Sequence, residues 1–291
     1  MLPTKLILGT VQFGMSYGIN NKTGKPLKNS VFEILDTAYE NGINTLDTAE
    51  DYGDSQNVIG EYNVLNNQRG RFELISKLSS GILDPVHLAH NISVTLSTLN
   101  VPFLEGYLFH KYDSYSKSPA FLKELMGLKE KGLIRKIGVS IYGIDDLDKL
   151  IGDPHIDIIQ LPYNLLDNHN HKQALLERLK AAGKEIHVRS VFLQGLFFMQ
   201  GNNIPEKLIL LRPYLLQVKQ IAEGAGVSIE KLALQYVYRD PLVDKVLIGV
   251  DSKEQLLKSI EAIRDEVPNE LFAEVDKITV KEKHLLYPIN W

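Results

Sequence analysis

The feature that most constrains this chain is an alternation. Short, apolar, β-branched runs recur along it, each separated from the next by a longer stretch. Eight such runs can be read: Lys5–Gly9, Asn44–Thr48, Phe72–Lys77, Leu104–His110, Lys136–Ser140, Asp157–Leu161, Ile186–Ser190 and Lys245–Val250. Most are continuously apolar rather than alternating, as strands covered on both faces should be. Between them lie stretches of helical period. Ser30–Asn41 puts Val31, Ile34, Leu35 and Ala38 on one face. Pro85–Leu99, Pro119–Lys131, Lys172–Ala182 and Lys207–Ala222 behave similarly. Gly42, Gly132 and Gly183 follow three of these stretches, where a C-cap glycine belongs.

Eight strands separated by helices lead to an α/β fold, a (β/α)₈ TIM barrel. Such barrels take about 250 residues as one domain, which suits a chain of 291. A doubly wound open sheet is disfavoured because no G-x-G-x-x-G follows the first strand. No Pro-, Gly- or Ser-rich linker interrupts the pattern, so one domain over residues 1–291 is expected.

Charge and composition narrow the function classes. The chain has 32 Lys+Arg against 36 Asp+Glu, with no basic tail or stripe. Nothing electrostatic therefore favours nucleic acid. No apolar run approaches the roughly 18 residues of a membrane-spanning helix. There are no cysteines, which excludes disulfides, thiolate nucleophiles and Cys-type metal sites. No signal peptide is visible, and the expectation is a cytoplasmic protein. Composition says nothing about oligomeric state.

In a parallel barrel the chemistry lies at the C-terminal ends of the strands. Asp47, Lys77, His110, Ser140 and Gln160 stand at or near such ends, and Tyr52 follows Asp47 in a loop. Reduction of a carbonyl needs a proton donor at its oxygen. A tyrosine, ordinarily near pKa 10, is a candidate if a neighbouring ammonium such as Lys77 lowers that value. Asp47 would hold Lys77 charged, and His110 would orient the carbonyl oxygen. Each residue alone has an ordinary structural reading. The four together, in order on strands two to four, point to proton transfer.

These residues resemble the aldo-keto reductase family. Asp47-Thr48-Ala49-Glu50-Asp51-Tyr52-Gly53 is similar to its D-T-A-x-x-Y-G signature, and Ile75-Ser76-Lys77 to its lysine strand. Leu108 to Asp113 resembles its L-x-H-x-x-D segment. Ile137 to Ser140, Gln160 to Asn164 and the opening Leu8 to Gly14 resemble three more. The resemblance implies a barrel that binds a nicotinamide cofactor, NADP with NAD possible, without a Rossmann domain and without a metal. It implies a tetrad of Asp47, Tyr52, Lys77 and His110, and a small-molecule carbonyl or alcohol substrate. It also implies that Ser140 and Gln160 hold the nicotinamide carboxamide.

The chain departs from the family pattern in places. Ile141 stands where the family often has Asn, and Arg189 where it commonly has an aromatic residue. A guanidinium can stack on a flat ring, so Arg189 either packs on the nicotinamide or forms a salt bridge at the rim. Phosphate contacts are expected from Ser190, Phe192 and Gln194 in one loop and Gly249, Asp251 and Ser252 in another. Ser252 also has the position of a helix cap. Gln255, Lys258 and Ser259 occupy adenine-side positions, where Lys258 either meets a 2′-phosphate or is a solvated helix lysine. Gln200 stands where the family often carries a basic residue.

Phe13, Tyr17, Tyr112, Tyr115, Phe197 and the tail Tyr287–Trp291 are expected pocket walls. Two alternatives are a cofactor-binding regulatory subunit with little turnover and a metal-dependent hydrolase using His169 and His171. The second is weak, because no further ligand pair stands at other strand ends.

Overall fold

The computed structural model describes residues 4–65, 68, 70–81, 84–117, 119–142, 147–199 and 201–291. Eight strands occur in chain order: β1 (Leu6–Gly9), β2 (Thr45–Asp47), β3 (Glu73–Leu78), β4 (Leu104–Phe109), β5 (Ile134–Ser140), β6 (Ile158–Pro162), β7 (Glu185–Arg189) and β8 (Lys245–Gly249). Each pairs in parallel with the next, and β8 returns to β1, which closes the barrel. The register sets Leu8 opposite Leu46, Ile75 opposite Gly106, and Gly138 opposite Ile158. The expected strands coincide with these to within two residues at either end.

The inside of the barrel explains where the polar site comes from. Ile75, Leu108 and Ile158 form a buried cluster of their own, separate from the main core between strands and helices. Gly106 and Gly138 make room for it. A Cβ on Gly138 would lie 2.8 Å from Leu108 Cγ, and one on Gly106 would lie 3.1 Å from Ile158 Cδ1. Burying each such aliphatic side chain is worth about 1.5–3 kcal/mol. Side chains two apart on a strand share a face. Stepping by two from Ile75, Leu108 and Ile158 therefore brings Lys77, His110 and Gln160 to the same side, one layer up. An apolar plug thus lies beneath a polar rim.

Three helical features depart from the expected pattern. Lys207–Ala222 divides into a 3₁₀ segment, Glu206–Leu211, and a helix, Arg212–Gly224, whose first turn carries Pro213. The helix Ser55–Val64 has no clear apolar stripe in sequence. It nevertheless buries Val58, Ile59 and Tyr62 in the main core, and Gly60 permits a close approach, since a Cβ there would fall 1.8 Å from the Thr98 carbonyl oxygen. The helix Ile229–Tyr238 starts at a Ser228 cap and precedes β8. Among the described residues no helix is long and apolar enough to cross a membrane.

Candidate active site

The loop after β2 carries Tyr52, and two glycines set its path. A Cβ on Gly14 would lie 1.6 Å from Tyr52 O, and one on Gly53 would lie 2.5 Å from Gly14 O. Gly53 also has φ of +57°, a region that favours glycine. Backbone therefore lies against backbone here, and Tyr52 is fixed relative to the end of β1. Ser55 Oγ tightens the same junction by donating to Thr10 O at 2.9 Å.

Lys77 and Asp47 form a buried ion pair, each about 1–2% exposed. Lys77 Nζ also donates to Thr48 O at 3.0 Å. The second Asp47 oxygen accepts from Gln160 Nε2 at 2.8 Å. Gln160 Oε1 in turn lies 3.5 Å from Ser140 Oγ. The four charged and polar side chains are thus one chain of contacts across β2, β3, β5 and β6, a link absent from the sequence-based expectation. Lys77 Nζ stands 5.1 Å from the centroid of the Tyr52 ring. The Tyr52 and His110 rings meet edge to face at 5.8 Å. His110 Nδ1 lies 3.7 Å from Asp51 Oδ2.

The structure reverses one expectation, that Lys77 lowers the pKa of Tyr52. Burial instead pushes the Tyr52 hydroxyl above its ordinary value, the Asp47 carboxylate adds to this, and Arg189 opposes it. Desolvation prevails, and the Asp47 carboxylate acts in the same direction. Burial, helped by the Lys77 ammonium, also lowers His110 to about 4. Near neutral pH the site therefore presents a protonated phenol and a neutral imidazole.

A cavity of about 400 Å³ runs from these residues across the barrel rim. It is lined by all four tetrad residues and by Ser140, Gln160, Arg189, Ser190, Phe192 and Gln194. Gly249, Asp251, Gln255 and Lys258 line it farther on. Ser252 does not. It caps the helix Lys253–Ala262, accepting from Gln255 N, so capping is its role here. Gln200 lies outside the described residues.

Arg189 stacks its guanidinium on the Tyr142 ring at 4.1 Å and donates to Ile141 O at 3.0 Å and Ser190 Oγ at 3.2 Å. Among the described residues it forms no salt bridge.

The cavity fits an elongated polar ligand. Gln12 is buried in its wall, and among the described residues Gln12 Oε1 has no hydrogen-bond partner. A buried orphan acceptor is costly unless a ligand donor meets it. Gly249 leaves the wall open beside it, since a Cβ there would lie 2.5 Å from Gln12 Nε2. The loop after β7 holds Ser190, Leu193 and Gln194 at φ of +59°, +47° and +54°. Strain of this kind, roughly 1–3 kcal/mol each, gathers at ligand clamps. The loop after β1 crosses to the same region: Gln194 Nε2 donates to Tyr17 Oη at 2.9 Å, and Asn21 Nδ2 to Asp251 Oδ1 at 3.2 Å. Gln12, Asn21, Tyr142 and Glu230 also line the cavity and were not anticipated.

Several expected walls belong to the core. Phe13 is fully buried, Tyr115 packs on Phe109 and donates to Asp153, and Phe197 is buried beneath the β7 loop. Tyr17 does line the main cavity. Tyr112 and Ile289 line a second cavity of about 290 Å³, together with Lys111, Ile141 and Leu147. Tyr142 faces both cavities, and Tyr287 meets it edge-on at 6.3 Å. His169 begins the helix His169–Ala181, with Nδ1 3.4 Å from Tyr163 Oη. Among the described residues no group of three His, Asp or Glu is placed to hold a metal ion.

Comparison with known proteins agrees with the barrel. The profile of the Aldo/keto reductase family matches residues 5–280, and the chain belongs to that family. It is 23% identical to a putative voltage-gated potassium channel subunit beta of Schizosaccharomyces pombe, over 84% of this chain and 82% of that one. It is 24% identical to the uncharacterized oxidoreductase YqkF of Bacillus subtilis, over 81% and 82%. Among solved structures, the aldo-keto reductase of Klebsiella pneumoniae in complex with NADPH superposes with a TM-score of 0.74. That match has 20% identity and covers 97% of this chain and 93% of the other.

Proposed function

We propose that this protein interconverts an aldehyde or ketone and the corresponding alcohol, using a nicotinamide dinucleotide. The observation that carries this is the convergence of Tyr52, His110 and the Lys77–Asp47 pair on one long cavity. That cavity also holds an unsatisfied acceptor in its wall. Ser140 and Gln160 lie where a carboxamide is held, Arg189 and Tyr142 flank that position, and Gln12 offers its free acceptor to a ribose hydroxyl. Ser190, Gln194 and the helix following Ser252 serve the phosphates. The cofactor, when bound, gives or takes the hydride.

The remaining chemistry belongs to the chain. Tyr52 donates the proton to the carbonyl oxygen in reduction and accepts it in oxidation. The neutral His110 ring orients that oxygen without competing for the proton. Asp47 and Lys77 fix the floor of the site, and Gln160 ties that floor to the carboxamide position. The cavity lined by Tyr112, Tyr142 and Ile289 receives the rest of the substrate.

The test is consumption of NADH and NADPH across a panel of aldehydes and ketones. Turnover of several carbonyls with either dinucleotide supports the reading. The relationship to a putative channel subunit favours one alternative, a cofactor-binding regulatory subunit. Saturable cofactor binding with no turnover across the panel would favour that second reading.

A further inference from the structure

The end of the cavity remote from Tyr52 leaves the rim and reaches two helices. Gln255, Lys258 and Ser259 come from Lys253–Ala262, and Glu230 from the first turn of Ile229–Tyr238. Glu230 is half-buried and faces this end. Its Oε1 accepts from Ser259 Oγ at 3.0 Å, and among the described residues its other oxygen has no hydrogen bond. Burial raises its carboxyl, while the Ser259 hydroxyl and the Lys258 charge oppose that. Lys258 is solvent-exposed, and among the described residues no arginine lines this end.

With the function proposed for this site, the nicotinamide lies at Tyr52 and adenosine lies here, and the role of Glu230 rests on that reading. The two dinucleotides differ chemically at one place. NAD(H) presents a ribose 2′-hydroxyl, a hydrogen-bond donor. NADP(H) presents a phosphate monoester with about −1.5 to −2 charges near pH 7 and only acceptors. A carboxylate accepts hydrogen bonds and has none to give. It pairs well with a hydroxyl and repels a phosphate, most strongly where burial reduces screening. Lys258, being exposed, offers a screened and mobile charge in compensation.

We propose that Glu230 is a specificity-determining residue that selects the dinucleotide lacking the 2′-phosphate, so that this chain prefers NAD(H). This reverses the NADP expected from the family resemblance. Ser259 acts as the positioning residue, holding one carboxylate oxygen and leaving the other toward the ligand.

The test is equilibrium titration of purified protein with NADH and with NADPH, followed by cofactor fluorescence. It compares wild type with Glu230→Gln, which keeps the shape and removes the charge. Thermal melts of both proteins establish that they are folded. Wild type is expected to bind NADH at least about tenfold more tightly than NADPH. Glu230→Gln is expected to shrink that ratio at least about fivefold, mainly by tightening NADPH. NADPH binding as tight as NADH in wild type, or a ratio unmoved by the substitution, would overturn the role of Glu230 alone. Folded wild type that binds neither dinucleotide would overturn the nicotinamide reading itself, and the role of Glu230 with it.

Discussion

Replacing Asp47 by asparagine isolates the buried pair at the floor of the site. The Lys77 ammonium would remain in a position 2% exposed, next to a neutral amide. Removing one partner of a buried ion pair typically costs about 3–5 kcal/mol, because the other charge is left uncompensated. Gln160 would also trade a charged acceptor for a neutral one at 2.8 Å. Hydrogen bonds to charged groups are worth about 1.5–3 kcal/mol against about 0.5–1.5 for neutral ones. The two losses share Asp47 and do not add, so the expected cost is about 3–5 kcal/mol. Guanidinium denaturation with an unchanged slope is the assay. The companion experiment removes both charges, as Asp47→Asn with Lys77→Met. The double variant should recover most of the lost stability, since a desolvated pair replaced by neutral groups is often nearly neutral in cost. A single-variant cost under about 1 kcal/mol would refute the uncompensated-charge reasoning. So would a double variant less stable than the single.

Three more substitutions probe the loop and the titrating groups. Gly53→Ala should cost at least about 1–3 kcal/mol and lower turnover, since it strains a left-handed residue beside Tyr52 and meets Gly14 O. Full stability and turnover would show that the loop can move aside. His110, lowered to about 4 in the fold, ordinarily titrates near 6.5. Between those values the unfolded chain binds a proton that the folded chain refuses. Stability should therefore fall as pH drops from about 6.5 to about 4, by up to roughly 3 kcal/mol. His110→Gln should flatten that slope, and an unchanged slope would mean that His110 is not the group responsible. Glu185 is held at about 2 because His187 and Lys136 donate to it, against its burial. Its contribution should be complete above about 4.5 and lost as pH falls through about 2. Denaturation of Glu185→Gln should lack that acid step.

Much of the fold and site was legible in the chain, for identifiable reasons. The strands stood out because both faces are covered and each run is apolar throughout. Lys77, His110 and Gln160 stood out because they stand at or near the ends of apolar runs; that they lie one layer above Ile75, Leu108 and Ile158 is visible only in the structure. Other features depend on packing that no local pattern encodes. The helix Ser55–Val64 shows no clear apolar stripe, yet it buries Val58, Ile59 and Tyr62 and approaches Thr98 closely through Gly60. Phe13, Tyr115 and Phe197 look like pocket aromatics in sequence, yet the barrel turns them inward. The sign of the Tyr52 shift was missed because it is set first by burial of the hydroxyl, to which Asp47 adds, and burial of a loop residue is not encoded in any local pattern. Glu230 was missed because it sits on the helix before β8, which carries none of the segments that resemble the family, and only the tertiary packing brings it beside Ser259.

The central claim is that Tyr52 supplies the proton for carbonyl reduction. The most direct measurement is single-turnover reduction of a carbonyl by protein preloaded with saturating dinucleotide, comparing wild type with Tyr52→Phe. The account predicts unchanged dinucleotide binding, because the ring remains, and a rate lower by about 10²–10⁴-fold. A variant that reduces the carbonyl as fast as wild type would contradict it.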